Sequence, residues 1–289
     1  MRFVKNKKLD LGEPIDASPL VTLVTPSFNS GTYIEETIVS VACQTYPNIE
    51  YIVVDGGSTD DTIEIIEKYS DDVTLLVSEA DNGQADALRK GFRLSNGKVL
   101  AWVNADDVYP DYAVEVAVDA LAKNDADVVY GNRGLIDQSG NRIGERRLTP
   151  FLPYFSREGM RYGGFGVYQP ASFWTRETYF DSREVDPTFQ FAMDTDLFVR
   201  FAGRGAKFTF LPRELVHFRI HKASKTSTRK GEAQAEWLRI SSSVQPRSLL
   251  YRWIIKMVCR VWKLVYHLKD SGGRYIWYLL RDKKYRFVP

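Results

Sequence analysis

The sequence predicts an α/β fold: a mostly parallel, Rossmann-like central sheet flanked by helices, followed by a C-terminal helical appendage. Three observations predict it. Short β-branched runs alternate with amphipathic helical segments through the first half of the chain. Polar residues follow those runs directly, where parallel sheets bind their ligands. The stretch from Arg247 on is rich in Arg, Lys, Trp and Tyr and poor in acids.

The first strand is expected at Val21–Thr25. A helix follows over Tyr33–Gln44, with Ile34, Ile38, Val41 and Ala42 on one face. Tyr51–Val54 reads as a buried strand. Asp60–Tyr69 reads as a helix, with Ser58, Asp60 and Asp61 as N-cap candidates. Strands are expected at Val73–Val77, Val99–Val103 and Val128–Tyr130, with helices at Gln84–Leu94 and Ala113–Lys123. From Arg133 to Arg161 the periodicity fades. Asp194–Ala202 is a short amphipathic helix, Phe208–Leu211 and Leu215–Ile220 are further strands, and Ala223–Lys230 is a polar loop. This divides the chain into an N-terminal extension (1–20), a main domain (21–228, with halves 21–131 and 132–228) and a helical region (229–289).

The 289 residues are 44% hydrophobic, enough for a substantial core. Lys and Arg (39) nearly balance Asp and Glu (37), so nothing points to a nucleic-acid partner. Cys43, in an apolar helical pattern, reads as a buried thiol, and a disulfide with Cys259 is not expected. The first residues lack the apolar core of a signal peptide, and no uncharged apolar run reaches about 18 residues. A cytoplasmic location is the default.

Five segments carry chemistry. Asn104-Ala-Asp-Asp107 delivers two carboxylates to the sheet rim, where a hard divalent cation (Mn2+ or Mg2+) can bridge a diphosphate; Asp-Asp before Tyr-Pro is equally good turn chemistry. Val54-Asp-Gly-Gly-Ser-Thr-Asp60 ends a strand in Asp55, whose carboxylate can accept from a nucleobase while the glycines admit a ligand to the backbone. It matches neither a dinucleotide fingerprint nor a P-loop. Glu79-Ala-Asp-Asn-Gly-Gln-Ala-Asp86 places Asp81 and Asp86 around a turn at Gly83; a capped helix start explains Asp86 as well. Asp194 and Asp196 open a helix, where acids are common and where one can also serve as a general base. Strand alternation puts His217, Arg219 and His221 on one basic face, structural or ligand-binding.

Taken in order, these segments resemble the family 2 glycosyltransferases of the GT-A fold, over Val21 to Ser227. The pieces are Val24-Thr-Pro-Ser-Phe-Asn29, Gln44-Thr-Tyr-Pro-Asn-Ile-Glu50, Val54–Asp60, Asn104–Asp107, Asp194 with Leu197 and Arg200, and Arg219-Ile-His221. The resemblance implies an inverting, metal-dependent transferase of the bacterial polysaccharide or lipopolysaccharide type. It would take a nucleotide sugar, UDP-linked by preference, as donor and a hydroxyl of a glycan or lipid-linked sugar as acceptor. Thr25, Pro26 and Asp55 would line the nucleobase pocket, and Asp81 and Gly83 would lie along the nucleoside. Asn104 stands where the D-x-D motif often has its first Asp, and its amide can bond a ribose hydroxyl. Asp106 would bind the metal, with Asp107 beside it and His221 near the diphosphate or its metal. Asp194 would be the base, although Met193 replaces the usual Glu before it. Gln169 and Trp174 would face the acceptor. A Q-x-x-R-W segment is absent, which favours single addition.

Leu249–Leu268 forms an amphipathic helix pattern. Leu250, Ile254, Met257, Val261, Val265 and Leu268 make one stripe and Arg252, Lys256, Arg260 and Lys263 another, with Trp253 and Trp262 suited to a membrane interface. Peripheral association with the inner face of the cytoplasmic membrane is the expectation; packing on protein is the alternative. Two other functions compete. A sugar nucleotidyltransferase would carry a basic Gly-rich loop where Pro26-Ser-Phe-Asn-Ser-Gly31 stands, and a silent membrane-associated binding protein would tolerate Asn104 and Met193.

Overall fold

The computed structural model describes residues 2–4, 18–148, 166–221, 230–243 and 248–271. Strands β1 (Arg2–Val4), β2 (Val21–Ser27), β3 (Ile49–Asp55), β4 (Leu75–Ser78), β5 (Val99–Trp102), β6 (Val128–Ile136), β7 (Arg142–Arg146), β8 (Ser172–Thr175) and β9 (Phe208–Arg219) form one sheet among the described residues. The order is β1-β4-β3-β2-β5-β8-β6-β7, with β9 also paired to β6. Strands β4, β3, β2 and β5 run parallel, β8 is antiparallel to both β5 and β6, and β6 and β9 are parallel.

The parallel half follows the expected alternation. Helices α1 (Ile34–Ala42), α2 (Thr62–Lys68), α3 (Gln84–Leu94) and α4 (Ala113–Lys123) separate its strands. In α4, Ala113, Val114, Ala117, Val118 and Leu121 are buried, the spacing of one helical face. Because β2, β3 and β4 are parallel and in register, Ser27, Asp55 and Ser78 end side by side on one rim.

Several elements differ from the sequence reading. β1, within the expected extension, pairs antiparallel with β4. β2 runs two residues further than expected, to Ser27. The stretch without clear periodicity contains the rest of β6 and all of β7. Where two strands were expected, β9 is a single strand, Phe208–Arg219: its register with β6 shifts around Pro212, which cannot donate to a ladder, and resumes at Val216. Cys43 is exposed because α1 ends at Ala42, and both cysteines are free.

The second half adds α5 (Arg176–Asp181) and α6 (Met193–Gly203). Trp102 of β5 and Trp174 of β8 meet edge-on at 5.4 Å, and Phe92 of α3 and Phe198 and Phe201 of α6 pack around them. This aromatic cluster fixes α6 against the sheet. Two further helices follow, α7 (Lys230–Ser243) and α8 (Leu249–Ser271). The polar loop expected at Ala223–Lys230 falls almost wholly outside the described residues.

The chain divides into two compact units, one of Met1–Arg147 with Val167–Leu238 and the other of Leu148–Gly166 with Arg239–Pro289. The sequence reading ends its main domain at 228; the first unit runs to Leu238, inside α7. In the second unit, α8 has two apolar faces. Ile255 and Cys259 are buried, whereas Leu250, Trp253, Ile254, Met257, Val261, Leu264 and Val265 are exposed. No helix among the described residues is long and apolar enough to cross a membrane.

Gly91 lies where α3 crosses the sheet. A Cβ there would stand 2.5 Å from Val24 and 3.2 Å from Val54. Gly91→Val is expected to destabilise by about 1–3 kcal/mol through overpacking, more than the helix gains from losing a glycine. Urea unfolding would show this as a lower midpoint with an unchanged slope.

Candidate active site

The rim is built by loops that lock one another. Asn29, at positive φ, accepts from the Thr59 amide at 2.9 Å and donates its own amide to Ser58 at 2.7 Å. Asp55 is fully buried, and its Oδ2 accepts from the Gly57 and Ser58 amides and the Ser78 hydroxyl. Its Oδ1 accepts from the Ser58 hydroxyl. Asp81 packs on Gly56, where an added Cβ would lie 2.8 Å from its carboxylate, and it caps the Gly83 amide at 2.7 Å. The loops after β2, β3 and β4 therefore form one continuous wall. Ser27 Oγ is buried at its edge without a hydrogen-bond partner, and Phe28 beside it is exposed.

The acidic pair after β5 splits in two. Asp106 is partly exposed, and its Oδ2 lies 2.9 Å from His221 Nε2. Asp107 is fully buried; it accepts from Asn104 Nδ2 at 2.8 Å and from the Arg219 amide at 3.1 Å. Burial, and then the neighbouring Asp106 charge, push the Asp107 carboxyl well above the usual range, against the lowering effect of those donors. Arg219 is buried as well. Its guanidinium donates to the Asp106 carbonyl at 2.9 Å, to the Asp137 carbonyl at 3.2 Å and to Glu36 at 2.6 Å, and it lies over the Tyr33 ring. The same ring touches His221, with centroids 4.8 Å apart.

A polar chain links this corner to α6. Gln84 donates to Asn104 at 2.9 Å, and next to it Gly83, at positive φ, lies against Gln190. Gln190 donates to the Asn82 carbonyl at 3.2 Å. Three residues after Gln190, α6 begins, and its first turn carries Asp194. Burial raises the Asp194 carboxyl above its ordinary value, partly offset by bonds from the Thr195 amide and hydroxyl.

The family model for glycosyl transferase family 2 matches residues 22–183, more than half of the chain. The chain belongs to glycosyl transferase family 2. A glycosyltransferase of Rickettsia prowazekii is 31% identical over 222 residues, 73% of this chain and 67% of its own length. Glycosyltransferase GlyG of Streptococcus pneumoniae is 35% identical over 125 residues, 42% of each chain. In fold, the family 2 chain is similar to Staphylococcus aureus TarS 1–349 in complex with UDP-GlcNAc (TM-score 0.65, 18% identity, 92% of this chain and 76% of that one). It is likewise similar to mannosyltransferase PcManGT of Pyrobaculum calidifontis in complex with GDP-Man and Mn2+ (TM-score 0.63, 19% identity, 83% and 69%). The GT-A fold and glycosyltransferase activity expected from the sequence both stand.

Several residues of this family 2 glycosyltransferase lie elsewhere than the sequence reading puts them. Thr25 and Pro26 are buried below the rim because β2 continues to Ser27, and Thr25 accepts from the Tyr51 hydroxyl at 3.0 Å. Asp107 points inward and holds the Arg219 strand instead of facing solvent beside Asp106. Asn104 spends its amide on Gln84 and Asp107. Gln169 is buried and bonds the Trp102 carbonyl at 2.8 Å, and Trp174 is core; neither faces an acceptor. His217 parts from Arg219 and His221. It sits by Glu214, with its pKa lowered mainly by burial. Gln84, Gln190, Tyr33 and Glu36 are site-building residues that the sequence reading missed. Glu36 shows only as an acid in a helix, Gln84 lies unremarked within the Glu79–Asp86 segment, and nothing local marks Gln190 or Tyr33.

Arg219→Met is expected to destabilise the protein by about 1–3 kcal/mol, because it leaves the Asp106, Asp137 and Gln138 carbonyls without their donor. Arg219→Lys should recover only part of that, since an ammonium cannot span the same fork of acceptors. Chemical unfolding of both variants checks the order.

Proposed function

We propose that this glycosyltransferase moves a sugar from a nucleotide-sugar donor, UDP-linked by preference, to a hydroxyl of a glycan or lipid-linked sugar, with inversion and by single addition. The observation that carries it is a run of contacts: His221 with Asp106, the adjoining Asp107 with Asn104, Asn104 with Gln84, and the Gln84 loop, at Asn82, with Gln190, three residues before the helix that bears Asp194. It ties a pair of metal-capable side chains and a carboxylate of raised pKa to one wall. The complexes with UDP-GlcNAc and with GDP-Man and Mn2+ among fold neighbours support the donor class.

The nucleoside would lie along the rim at Ser27, Phe28, Asp55, Asp81 and Gly83. Ser27 Oγ offers an unspent donor and acceptor there, and the buried Asp55 orders the loop beside it through the Gly57 and Ser58 amides. A divalent cation, Mn2+ or Mg2+, fits Asp106 and His221, one oxygen and one nitrogen ligand, with phosphate oxygens and water completing its shell. When bound it would neutralise charge on the departing diphosphate. No group of three or more acidic, His or Cys side chains stands ready for a metal among the described residues, so a donor diphosphate would be part of the site. In the transfer, the acceptor oxygen attacks the anomeric carbon as its proton passes to the Asp194 carboxylate. The bond from that carbon to the diphosphate oxygen breaks, and the nucleoside diphosphate leaves with the electron pair.

Asp194 must be ionised to take the proton. Its pKa is raised, so activity is expected to fall with decreasing pH while still above the ordinary carboxylate range. Asp194→Asn should lower kcat by about 10²–10⁴-fold and leave donor binding intact. Full activity in that variant removes Asp194 from the role.

The exposed face of α8 supports peripheral membrane association on the cytoplasmic side, where a lipid-linked acceptor would be met. On a helical wheel its apolar stripe lies opposite Ile255 and Cys259, and exposed Lys256 and Arg260 flank it. Val261→Glu with Leu250→Glu should abolish sedimentation with phosphatidylglycerol vesicles and leave donor hydrolysis unchanged. Retained sedimentation would assign the stripe to a protein contact.

A further inference from the structure

Helix α7 reaches the base turn through one side chain. Glu236 accepts three consecutive backbone amides: Gln190 at 2.7 Å on Oε1, and Phe191 and Ala192 at 2.8 Å each on Oε2. These amides precede α6, whose N-cap position is Ala192, a residue with no side-chain acceptor. A distant carboxylate thus holds the three amides that lead into α6, while the Thr195 amide inside the first turn bonds Asp194. Bonds from amides to an ionised carboxylate are stronger than neutral ones, and the positive end of the α6 dipole adds to them.

The clamped turn has work on both sides. Backward, the Gln190 side chain donates to the Asn82 carbonyl and packs on Gly83, in the loop that would lie along the donor. Forward, Asp194 is the second residue of α6. The amides that Glu236 holds join these two points. We propose that Glu236 is a positioning residue for transfer: it fixes the 190–192 turn so that the Asp194 carboxylate and the donor loop keep one geometry. The inference rests on Asp194 being the general base. Reach matters for a base: misplacement of about 1 Å can cost roughly 10²-fold in rate. Three amides released to solvent would let the turn move on that scale.

The test uses the full chain, with Glu236→Ala, Glu236→Gln and Asp194→Asn compared in two measurements. The first is Mn2+-dependent hydrolysis of UDP-GlcNAc, UDP-glucose and GDP-mannose, followed with the fastest donor. Glu236→Ala is expected to lower kcat about tenfold or more with donor KM changed less than about twofold, and Glu236→Gln, which keeps one acceptor oxygen, to recover part of the loss. The second is amide hydrogen exchange. In Glu236→Ala the peptide covering 190–192 should exchange faster, while peptides from β2 and β5 stay protected; Glu236→Gln answers the same question if the alanine variant fails to fold. Unchanged exchange at 190–192 overturns the clamp. Faster exchange with unchanged kcat reduces Glu236 to a structural tether of the turn and overturns its positioning role. An active Asp194→Asn variant instead overturns the base assignment, and exchange then still decides the clamp on its own.

Discussion

The site corner depends on the burial of one cation. Arg219 ends β9 with no exposed surface, and taking a guanidinium out of water costs several kcal/mol unless its donors are met. They are met by groups from three separate segments: Glu36 of α1, the Asp106 carbonyl after β5, and the Asp137 and Gln138 carbonyls after β6. Its backbone amide meets a fourth group, Asp107. A residue with one point charge could not reach so many acceptors; the planar fork can. Arg219 thereby sets the height of the Asp106 backbone, and His221, two residues on, meets the Asp106 side chain. The exposed carboxylate owes its place to the buried arginine.

This explains why two adjacent acids have different work. Asp107 is sealed, hydrogen-bonded by Asn104 and the Arg219 amide, and held above the usual carboxylate range by burial and by the charge next to it. Its position ties the β5 end to β9. Asp106 keeps an open side. Environment rather than residue type divides the pair, and the Asn at 104 fits that division, since a third carboxylate there would face Asp107 with no cation between them.

The parallel half of the fold was legible because its signals are local. Helices α3 and α4 fall where apolar spacing places them, and the rule that ligands meet strand C-termini located the rim. What periodicity could not show was depth. Two extra residues of β2 put Thr25 and Pro26 under the rim and leave Ser27 and Phe28 at its edge. The resemblance puts Gln169 and Trp174 on the acceptor side, yet the cluster of Phe92, Trp102, Phe198 and Phe201 has Trp174 at its centre. Phe208–Leu211 and Leu215–Ile220 read as two strands, and only the β6 pairing shows one strand that bulges around Pro212 and continues.

The contacts least legible in sequence are those that join segments far apart in the chain. Gln84 to Asn104, Gln190 to Asn82 and Glu236 to the 190–192 amides each link residues separated by at least 20 positions, and Gln190 and Glu236 sit in no motif. Motifs record the groups that perform chemistry at a point. The distance between such points is set by amide and carboxylate bonds among otherwise ordinary loops, where any residue of suitable length and polarity serves. Ala192 makes this concrete. Its side chain accepts nothing, and its amide, with those of Gln190 and Phe191, bonds Glu236 of α7. The order of the 190–192 turn is thus coupled to α7.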